Sequence, residues 1–147
     1  MKSDSNTSDN VYWLLIQVAM QAKQTLMHLA EKHDLSAMQM FTMATMIPGQ
    51  PTPMNTISCI LGCDASNVTG IVDRLLAHNL IKREENPKDR RVKMITLTPA
   101  GEELRSIMFR ELDEYQMPGF AGLTQSQQSE LSVLLTVIMQ GSKPAPK

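Results

Sequence analysis

Residues 66–76 carry side chains that can recognise another molecule through hydrogen bonds. On a helix, apolar residues recur at the spacing of one buried stripe, namely Val68, Ile71, Val72, Leu75 and Leu76. The opposite face is polar and consists of Ser66, Asn67, Thr69, Gly70, Asp73 and Arg74. Asn can pair with adenine through two hydrogen bonds, and Thr offers a hydroxyl group or a methyl group to thymine. By composition alone, an ordinary solvated helix face explains the pattern as well as an insertion into the major groove of DNA does.

A second group of residues is cationic. Six cations lie between positions 82 and 93, interrupted by Glu84, Glu85 and Asp89, and they are Lys82, Arg83, Lys88, Arg90, Arg91 and Lys93. The whole chain has a formal net charge of −1, so any affinity for nucleic acid must come from such a local cluster. Basic hairpin tips often only increase solubility, but two adjacent arginines after Pro-Lys-Asp favour a function. Lys88, Arg90 and Arg91 are therefore candidate DNA contacts.

The elements that position these residues are predicted from turn and cap signals. Thr52 and Pro53 are expected to be the N-cap and first residue of a helix that ends at Leu61. Gly62 is expected to adopt the left-handed conformation after that helix, and Asp64 to cap the next one. Two short helices joined by a glycine-containing turn are typical of a helix-turn-helix.

A β-hairpin is predicted directly after the second helix. Residues 80–84 and 92–97 are expected to be its strands, and residues 86–91 its turn-forming cationic tip. This hairpin, residues 80–97, is the wing. Arg74 can reach a DNA backbone or pair with Asp89 across the base of the wing. Of the two tip arginines, alternation predicts that one points outward and the other back toward the helix.

Two motifs of this segment resemble the MarR-type winged helix-turn-helix transcriptional regulators. The first is Ser66-Asn67-Val68-Thr69-Gly70-Ile71-Val72-Asp73-Arg74-Leu75. The second is Asp89-Arg90-Arg91 followed by Leu97-Thr98 and Gly101, in the family's D-x-R-x5-L-T-x-x-G pattern. The segment that contains both motifs, residues 52–101, covers about a third of the chain, and the motifs favour DNA recognition over a merely solvated face.

The resemblance implies a homodimeric transcription factor, usually a repressor, whose DNA affinity often falls when a small phenolic or other aromatic effector binds. It also implies that a tip arginine enters the minor groove and that the acid of the D-x-R motif has a structural role. We therefore interpret Asp89 as a wing-positioning residue. Paired recognition helices predict a pseudo-palindromic operator in double-stranded DNA, with two half-sites one helical turn apart.

The expected fold is mainly α with a small β-hairpin wing, a winged helix-turn-helix with terminal dimerisation helices. The chain, 1–147, is expected to be a single domain, with residues 36–101 as the DNA-binding region. Residues 10–33 and 102–140 are expected to supply the dimerisation helices. The amino-terminal helix has more apolar surface than one neighbour can cover, which favours a homodimer over a simple core helix.

Other functions are less favoured by the sequence. Cys59 and Cys63 flank the helix-turn-helix turn and suggest a redox-responsive regulator, but neither has an evident cation nearby and free cysteine is usually a small buried hydrophobe. A cluster of methionines, Met38, Met40, Met43, Met46 and Met54, is better explained as core than as a ligand pocket. A ligand-binding or interaction module with the same fold is a further alternative, which the wing arginines disfavour.

The sequence shows no catalytic constellation, so we expect no enzyme, no cofactor and no metal site. The three histidines, His28, His33 and His78, lack the spacing of paired zinc ligands. Neither a signal peptide nor an apolar run of membrane-spanning length is evident, so the expected location is the cytoplasm.

Overall fold

The computed structural model describes residues 4–115, 117 and 119–141, with the backbone alone described for residues 4–9. Its internal contacts divide the chain into two compact units, Met1–Glu114 and Tyr115–Lys147, and each is described by itself. The expectation of a single domain over 1–147 includes residues 1–3, 116, 118 and 142–147, which lie outside the described residues. That expectation and the assignment of dimerisation helices stay predictions.

Most of the described chain is helical. The helices are α1 (Asp4–Glu31), α2 (Ala37–Thr45), α3 (Met54–Leu61), α4 (Ala65–Ala77), α5 (Pro99–Tyr115) and α6 (Gln125–Gly141), with a 3-10 turn at Phe120–Gly122. The strands are β1 (Thr52–Pro53), β2 (Ile81–Asn86) and β3 (Asp89–Leu97), in the antiparallel order β1-β3-β2. The helix-turn-helix is α3 and α4, and β2 and β3 are the strands of the wing. This confirms the predicted fold class.

Caps fix the ends of the helices that matter for the site. The Ser36 side chain accepts from the backbone N–H of Gln39, whose side chain accepts from the N–H of Ser36, which is a complete capping box. Asp64 caps α4 by accepting from the N–H of Asn67 at 2.9 Å. Gly62 adopts the left-handed conformation with φ of 61°, so both sequence predictions for the turn of the helix-turn-helix are confirmed.

Thr52 and Pro53 do not have the predicted roles. They form β1, pairing with Ile95 and Met94 of β3, and Pro53 is the N-cap of α3 without a side-chain cap bond. A two-residue strand has no sequence signal of its own, because it exists only where the long strand β3 offers an unpaired edge. The same sheet makes the wing strands longer than predicted, since β2 extends to Asn86 and β3 begins at Asp89.

The core lies between α1, α2, α3, α4, α5 and the sheet. The predicted stripe of α4 is confirmed, with Val68, Val72 and Leu75 fully buried. Three of the clustered methionines, Met40, Met43 and Met46, are also fully buried, as expected for core residues. This packing fixes the orientation of α4, so its polar face is presented outward.

The joint between the wing and α5 depends on Gly101. The Thr98 hydroxyl donates to the carbonyl of Asn79 at 2.7 Å and accepts from the N–H of Gly101 at 3.1 Å. The Thr98 N–H donates to the carbonyl of Leu80 at 3.0 Å. A Cβ atom at position 101 would overlap that same Leu80 carbonyl. The Thr98 and Gly101 of the D-x-R-x5-L-T-x-x-G pattern therefore form a close contact between the start of α5 and the start of β2.

One partly buried hydrogen bond between side chains ties the turn after α1 to α5. His33 Nε2 lies 2.8 Å from Glu111 Oε2. The hydrogen bond with His33 is the main reason that the pKa of Glu111 lies below its usual value. The contact joins residues 78 positions apart and holds the end of α1 beside the middle of α5.

The second unit contains α6, whose start is capped like that of α2. The Thr124 N–H donates to Gln127 Oε1 at 2.9 Å, and the Gln127 N–H donates to Thr124 Oγ1 at 3.3 Å. Several large apolar side chains of α6 are exposed within the described structure, namely Val133, Leu134, Leu135, Val137, Ile138 and Met139. Among all described helices, none has the length and apolar content needed to span a membrane.

Candidate nucleic-acid interface

The exposed face of α4 contains every residue predicted for it. The five predicted contact residues of α4 are all exposed, namely Ser66, Asn67, Thr69, Gly70 and Arg74. Val68, Val72 and Leu75, on the other side of the helix, are buried. The apolar stripe therefore acts as an anchor that holds one polar surface outward. A rigid helix with such a surface has the form that enters the major groove of DNA.

The polar groups of α4 differ in how free they are. The Ser66 hydroxyl donates to Asp64 Oδ1 at 2.9 Å, and the Thr69 hydroxyl donates to the Ala65 carbonyl at 2.8 Å. Both hydroxyl groups keep their acceptor lone pairs, and Thr69 keeps its methyl group for an apolar contact. Within the described structure, the side chains of Asn67 and Arg74 have no hydrogen-bond partner. They are the two side chains of α4 best able to bind an external polar group.

Asp64 is the acidic group at the amino-terminal end of this face. Donation from the N–H of Asn67, and then from the hydroxyl of Ser66, lowers the pKa of Asp64. The carboxylate is therefore ionised at neutral pH, and its Oδ1 accepts the hydrogen bonds that cap α4.

The wing is a hairpin with a turn of only two residues, Pro87 and Lys88. Asn86 Oδ1 accepts from the N–H of Lys88 at 2.9 Å and stabilises this turn. The prediction that residues 86–91 form a loop was too long, because Asn86 and Asp89 already face each other in the ladder. Arg90 and Arg91 therefore lie on β3, immediately after the turn, where strand geometry sends adjacent side chains to opposite faces.

Asp89 holds Arg91. Its two carboxylate oxygens accept from Nε and Nη2 of Arg91, each at 3.1 Å, and Oδ1 also accepts from the Arg91 N–H at 3.1 Å. These bonds, the side-chain bonds first, lower the pKa of Asp89. Of the two roles left open for Arg74, the pairing with Asp89 is not found among the described contacts, since Arg91 occupies both carboxylate oxygens.

Most other cations of the wing are also paired. Lys82 contacts Glu84 at 3.3 Å, Lys93 contacts Glu85 at 2.8 Å, and Arg83 contacts Asp73 of α4 at 3.3 Å. Among the described residues, Lys88 and Arg90 have no acidic group within 4.0 Å. The cationic potential of the wing is therefore concentrated at its end, and the Arg83–Asp73 pair links the wing to α4.

Sequence reasoning missed one residue that lies beside α4. An open groove is lined by Ser36, Gln39, Asn67, Gly70, Ile71 and Arg74, so the start of α2 forms one of its walls. Gln39 is almost fully buried, with 4% of its surface exposed. Its sequence signal is the Ser-x-x-Gln capping pattern, which predicts the cap but says nothing about α4 lying opposite.

The cysteines and possible metal ligands add no second site. Cys59 is exposed, while Cys63 is half-buried with its Sγ 3.5 Å from the Leu61 carbonyl. No three His, Cys, Asp or Glu side chains within the described part of the chain are placed to share a metal ion. A redox role for Cys59 and Cys63 stays a prediction.

Comparison with known proteins shows a likeness over the interface segment. Residues 49–93, which contain α3, α4 and most of the wing, match the model of the MarR family. Over this segment the chain is similar to that family. The HTH-type transcriptional regulator YhbI of Bacillus subtilis is 33% identical over 82 residues, which are 56% of this chain and 53% of YhbI. The alignment thus spans only about half the length of that relative.

Solved structures extend the likeness to most of the chain. A probable transcriptional regulator from Pseudomonas aeruginosa is 27% identical with a TM-score of 0.67, over 90% of this chain and 98% of that one. A Staphylococcus aureus MepR variant bound to an oligodeoxyribonucleotide is 21% identical with a TM-score of 0.60, over the same shares. At that identity the second likeness shows the fold alone.

Proposed function

We propose that this protein is a MarR-type, sequence-specific DNA-binding transcriptional regulator that acts as a homodimer on a pseudo-palindromic operator. One observation carries the proposal: the free polar face of α4 lies on the same domain as a wing whose unpaired cations, Lys88 and Arg90, are at its end. The MepR structure bound to an oligodeoxyribonucleotide supports it, because that protein has the same fold.

In this proposal α4 reads the major groove. Asn67 and Thr69 contact base edges, Ser66 accepts with its lone pairs from a base amino group, and Gly70 lets the DNA approach the helix closely. Arg74, one turn further along, contacts the phosphate backbone. Specificity then comes from few side chains, as expected for a short recognition helix.

The wing contacts DNA beside α4. Arg91 is pre-oriented by Asp89, which reduces the side-chain entropy lost when it enters a narrow minor groove. Lys88 and Arg90 add phosphate contacts, whose counterion release makes the affinity depend on salt. Asp89 is thus proposed as a positioning residue for Arg91.

Replacing two different acids of the wing is expected to change DNA affinity in opposite directions. Asp89→Ala is expected to lower affinity for a preferred duplex about tenfold, because Arg91 loses its orientation, although the variant is more positive. Glu85→Ala is the matched control, since it removes an acid paired with Lys93 and is expected to raise affinity slightly. Equilibrium titration by fluorescence anisotropy measures both. Equal increases for the two variants would contradict a positioning role for Asp89.

The homodimer is supported by the apolar surface of α1. Large apolar side chains are exposed on every side of its first half, namely Val11, Tyr12, Trp13, Leu14, Leu15, Ile16, Val18 and Met20. A helix that is apolar all round needs cover on more than one side, and a second copy offers the same surface in return. Closed two-fold symmetry then pairs two α4 helices for one operator.

A charge in this surface is expected to separate the subunits. Ile16→Glu is expected to convert the dimer to monomers at micromolar concentration, because the buried carboxylate would lose its water without gaining a partner. Gln24→Glu is the control, with the same charge at an exposed polar position of α1. Sedimentation velocity distinguishes the two. A dimeric Ile16→Glu protein would contradict the use of this face.

The first unit contains a candidate binding site for an effector. A small apolar pocket is lined by Leu26, Leu29, Met40, Ala44, Met108, Phe109 and Leu112. Arg105 stands over the Phe109 ring at 4.5 Å, and its buried Nε has no hydrogen-bond partner in the described structure. This lining matches the chemistry of a small aromatic ring with a phenolate or carboxylate group, for which the pocket would have to widen. Such an effector lowers DNA affinity if it binds better to dimers whose two α4 helices are not spaced for adjacent major grooves. We propose that the protein acts in this way as an effector-responsive repressor.

The proposal is tested by electrophoretic mobility shift with genomic fragments of the source organism and excess random competitor DNA. A few fragments are expected to be retained at nanomolar protein and physiological salt, against micromolar or weaker binding to the rest. Uniform retention of all fragments would leave only nonspecific binding, and retention of none would favour an interaction module with this fold.

A further inference from the structure

We propose that the groove between the start of α2 and the exposed face of α4 binds one phosphate of the DNA backbone, and that Gln39 donates a hydrogen bond to it. This rests on the DNA binding proposed above. It adds a second wall to the interface, outside the helix-turn-helix and the wing.

The groove has the chemistry of an anion site. No acidic residue is among the six that line it, whereas four side chains can donate hydrogen bonds, namely Ser36, Gln39, Asn67 and Arg74. The nearest acid along α4, Asp73, is paired with Arg83 at 3.3 Å. The guanidinium of Arg74 therefore supplies a positive charge that no described carboxylate neutralises.

Gln39 is the residue that makes this groove a built site. Its Oε1 accepts from the N–H of Ser36 at 2.8 Å, so the oxygen cannot exchange places with the nitrogen. The Nε2 group is the remaining donor, and no described residue accepts from it. Gln39 is 4% exposed yet lines the groove. Its Nε2 donor can therefore reach an external acceptor only through the groove.

The helix behind Gln39 adds to the attraction. α2 begins at Ala37, so its positive end and its first N–H groups lie at the same wall. The capping box uses the N–H groups of Ser36 and Gln39 but not those of Ala37 and Met38. A phosphate oxygen opposite Arg74 therefore meets a fixed donor and the dipole of α2.

DNA brings a phosphate to this position if α4 lies in the major groove. The helices beside a recognition helix cross the sugar-phosphate backbone that borders the groove. A contact to phosphate carries no base information, so Gln39 is expected to support all sequences equally and to set the register of α4.

The test is Gln39→Glu. The glutamate oxygen still accepts from the Ser36 N–H, because Ser-x-x-Glu is an equally good capping box, so the cap of α2 is kept. The donor becomes a negative charge, and affinity is expected to fall about 10- to 100-fold for preferred and random duplexes alike. Gln127→Glu is the matched control, with the same substitution in the Thr124–Gln127 cap. Its affinity should stay within about twofold of native.

Methylphosphonate substitution locates the contact. Each phosphate of a preferred duplex is replaced singly by this neutral linkage, and the native, Gln39→Glu and Arg74→Gln proteins are titrated against each duplex. At one position per half-site the neutral linkage should weaken the native protein, restore Gln39→Glu toward native affinity and leave Arg74→Gln nearly unchanged. Arg74 is exposed, so the last variant reports on the same phosphate even if Gln39→Glu is unstable.

The outcomes separate the two proposals. If the native protein binds no duplex, DNA binding and this inference both fail. If it binds but Gln39→Glu and Gln127→Glu bind alike, or no single phosphate relieves the Gln39→Glu defect, the groove does not hold a phosphate, while DNA binding stands.

Discussion

Replacing Gly101 by Ala is expected to lower the free energy of unfolding by about 3 kcal/mol, near the upper end for overpacked sites. The added Cβ would overlap the backbone carbonyl of Leu80 and press on the Leu97 side chain. Backbone at this point cannot move alone, because the Thr98 N–H donates to the same carbonyl. Relief therefore requires α5 to separate from the wing, and the loss should appear as a lower denaturant midpoint with an unchanged slope.

Gly70 is the matched control, since it is also a helical glycine but its added Cβ would meet nothing within 4 Å. Gly70→Ala is expected to raise the free energy of unfolding by about 1 kcal/mol through helix propensity. Both variants are compared at one protein concentration, because a dimer's stability depends on it. Stability changes of the same sign would contradict the account of Gly101 as a close-contact position.

The second large effect is expected in DNA affinity. Arg90→Ala combined with Arg91→Ala should weaken binding to a preferred duplex about 100-fold at physiological salt, since two charge-assisted contacts are lost. The dependence of log affinity on log salt should flatten by roughly 0.9 for each phosphate contact removed. Titrations at several salt concentrations give both quantities.

Lys82→Ala is the control for charge alone. Lys82 belongs to the same wing but is paired with Glu84 at 3.3 Å, so its loss should change affinity and salt slope little. The single variants Arg90→Ala and Arg91→Ala show how much each arginine contributes to DNA affinity. Arg91 is held by Asp89 and is expected to act at a fixed place, whereas Arg90 is free to act as a mobile cation. An unchanged salt slope in the double variant would remove the wing arginines from the interface.

The parts of the fold that could be predicted are those with a local cause. The buried stripe of α4 follows from helical spacing, and the caps at Ser36 and Asp64 follow from the preference of their side chains for N-cap positions. The left-handed Gly62 follows from its missing side chain. β1 could not be predicted in the same way, because two residues become a strand only when Ile95 and Met94 present a free edge.

The sequence predicts which residues are candidate DNA contacts, but it does not predict which cations are paired with acids. Six clustered cations were evident, yet which of them are neutralised depends on distances across the hairpin and to α4, as with Arg83 and Asp73. Arg74 and Arg91 were both reasonable partners for Asp89, and only the strand geometry at the turn decides for Arg91. Gln39 could not be assigned to the interface from the sequence, because its neighbours on α4 lie about 30 positions further along the chain.

The most direct test of the central claim is selection of bound duplexes from a random pool by the native protein at physiological salt. Two recognition helices related by two-fold symmetry predict an inverted repeat whose half-site centres lie about 10 base pairs, or roughly 34 Å, apart. Enriched sequences with that repeat, and loss of binding when one half-site is moved by about 5 base pairs, are the expected result. A pool that stays random after several rounds, or enrichment of a single unrepeated site, would contradict recognition by a symmetric pair of winged helices.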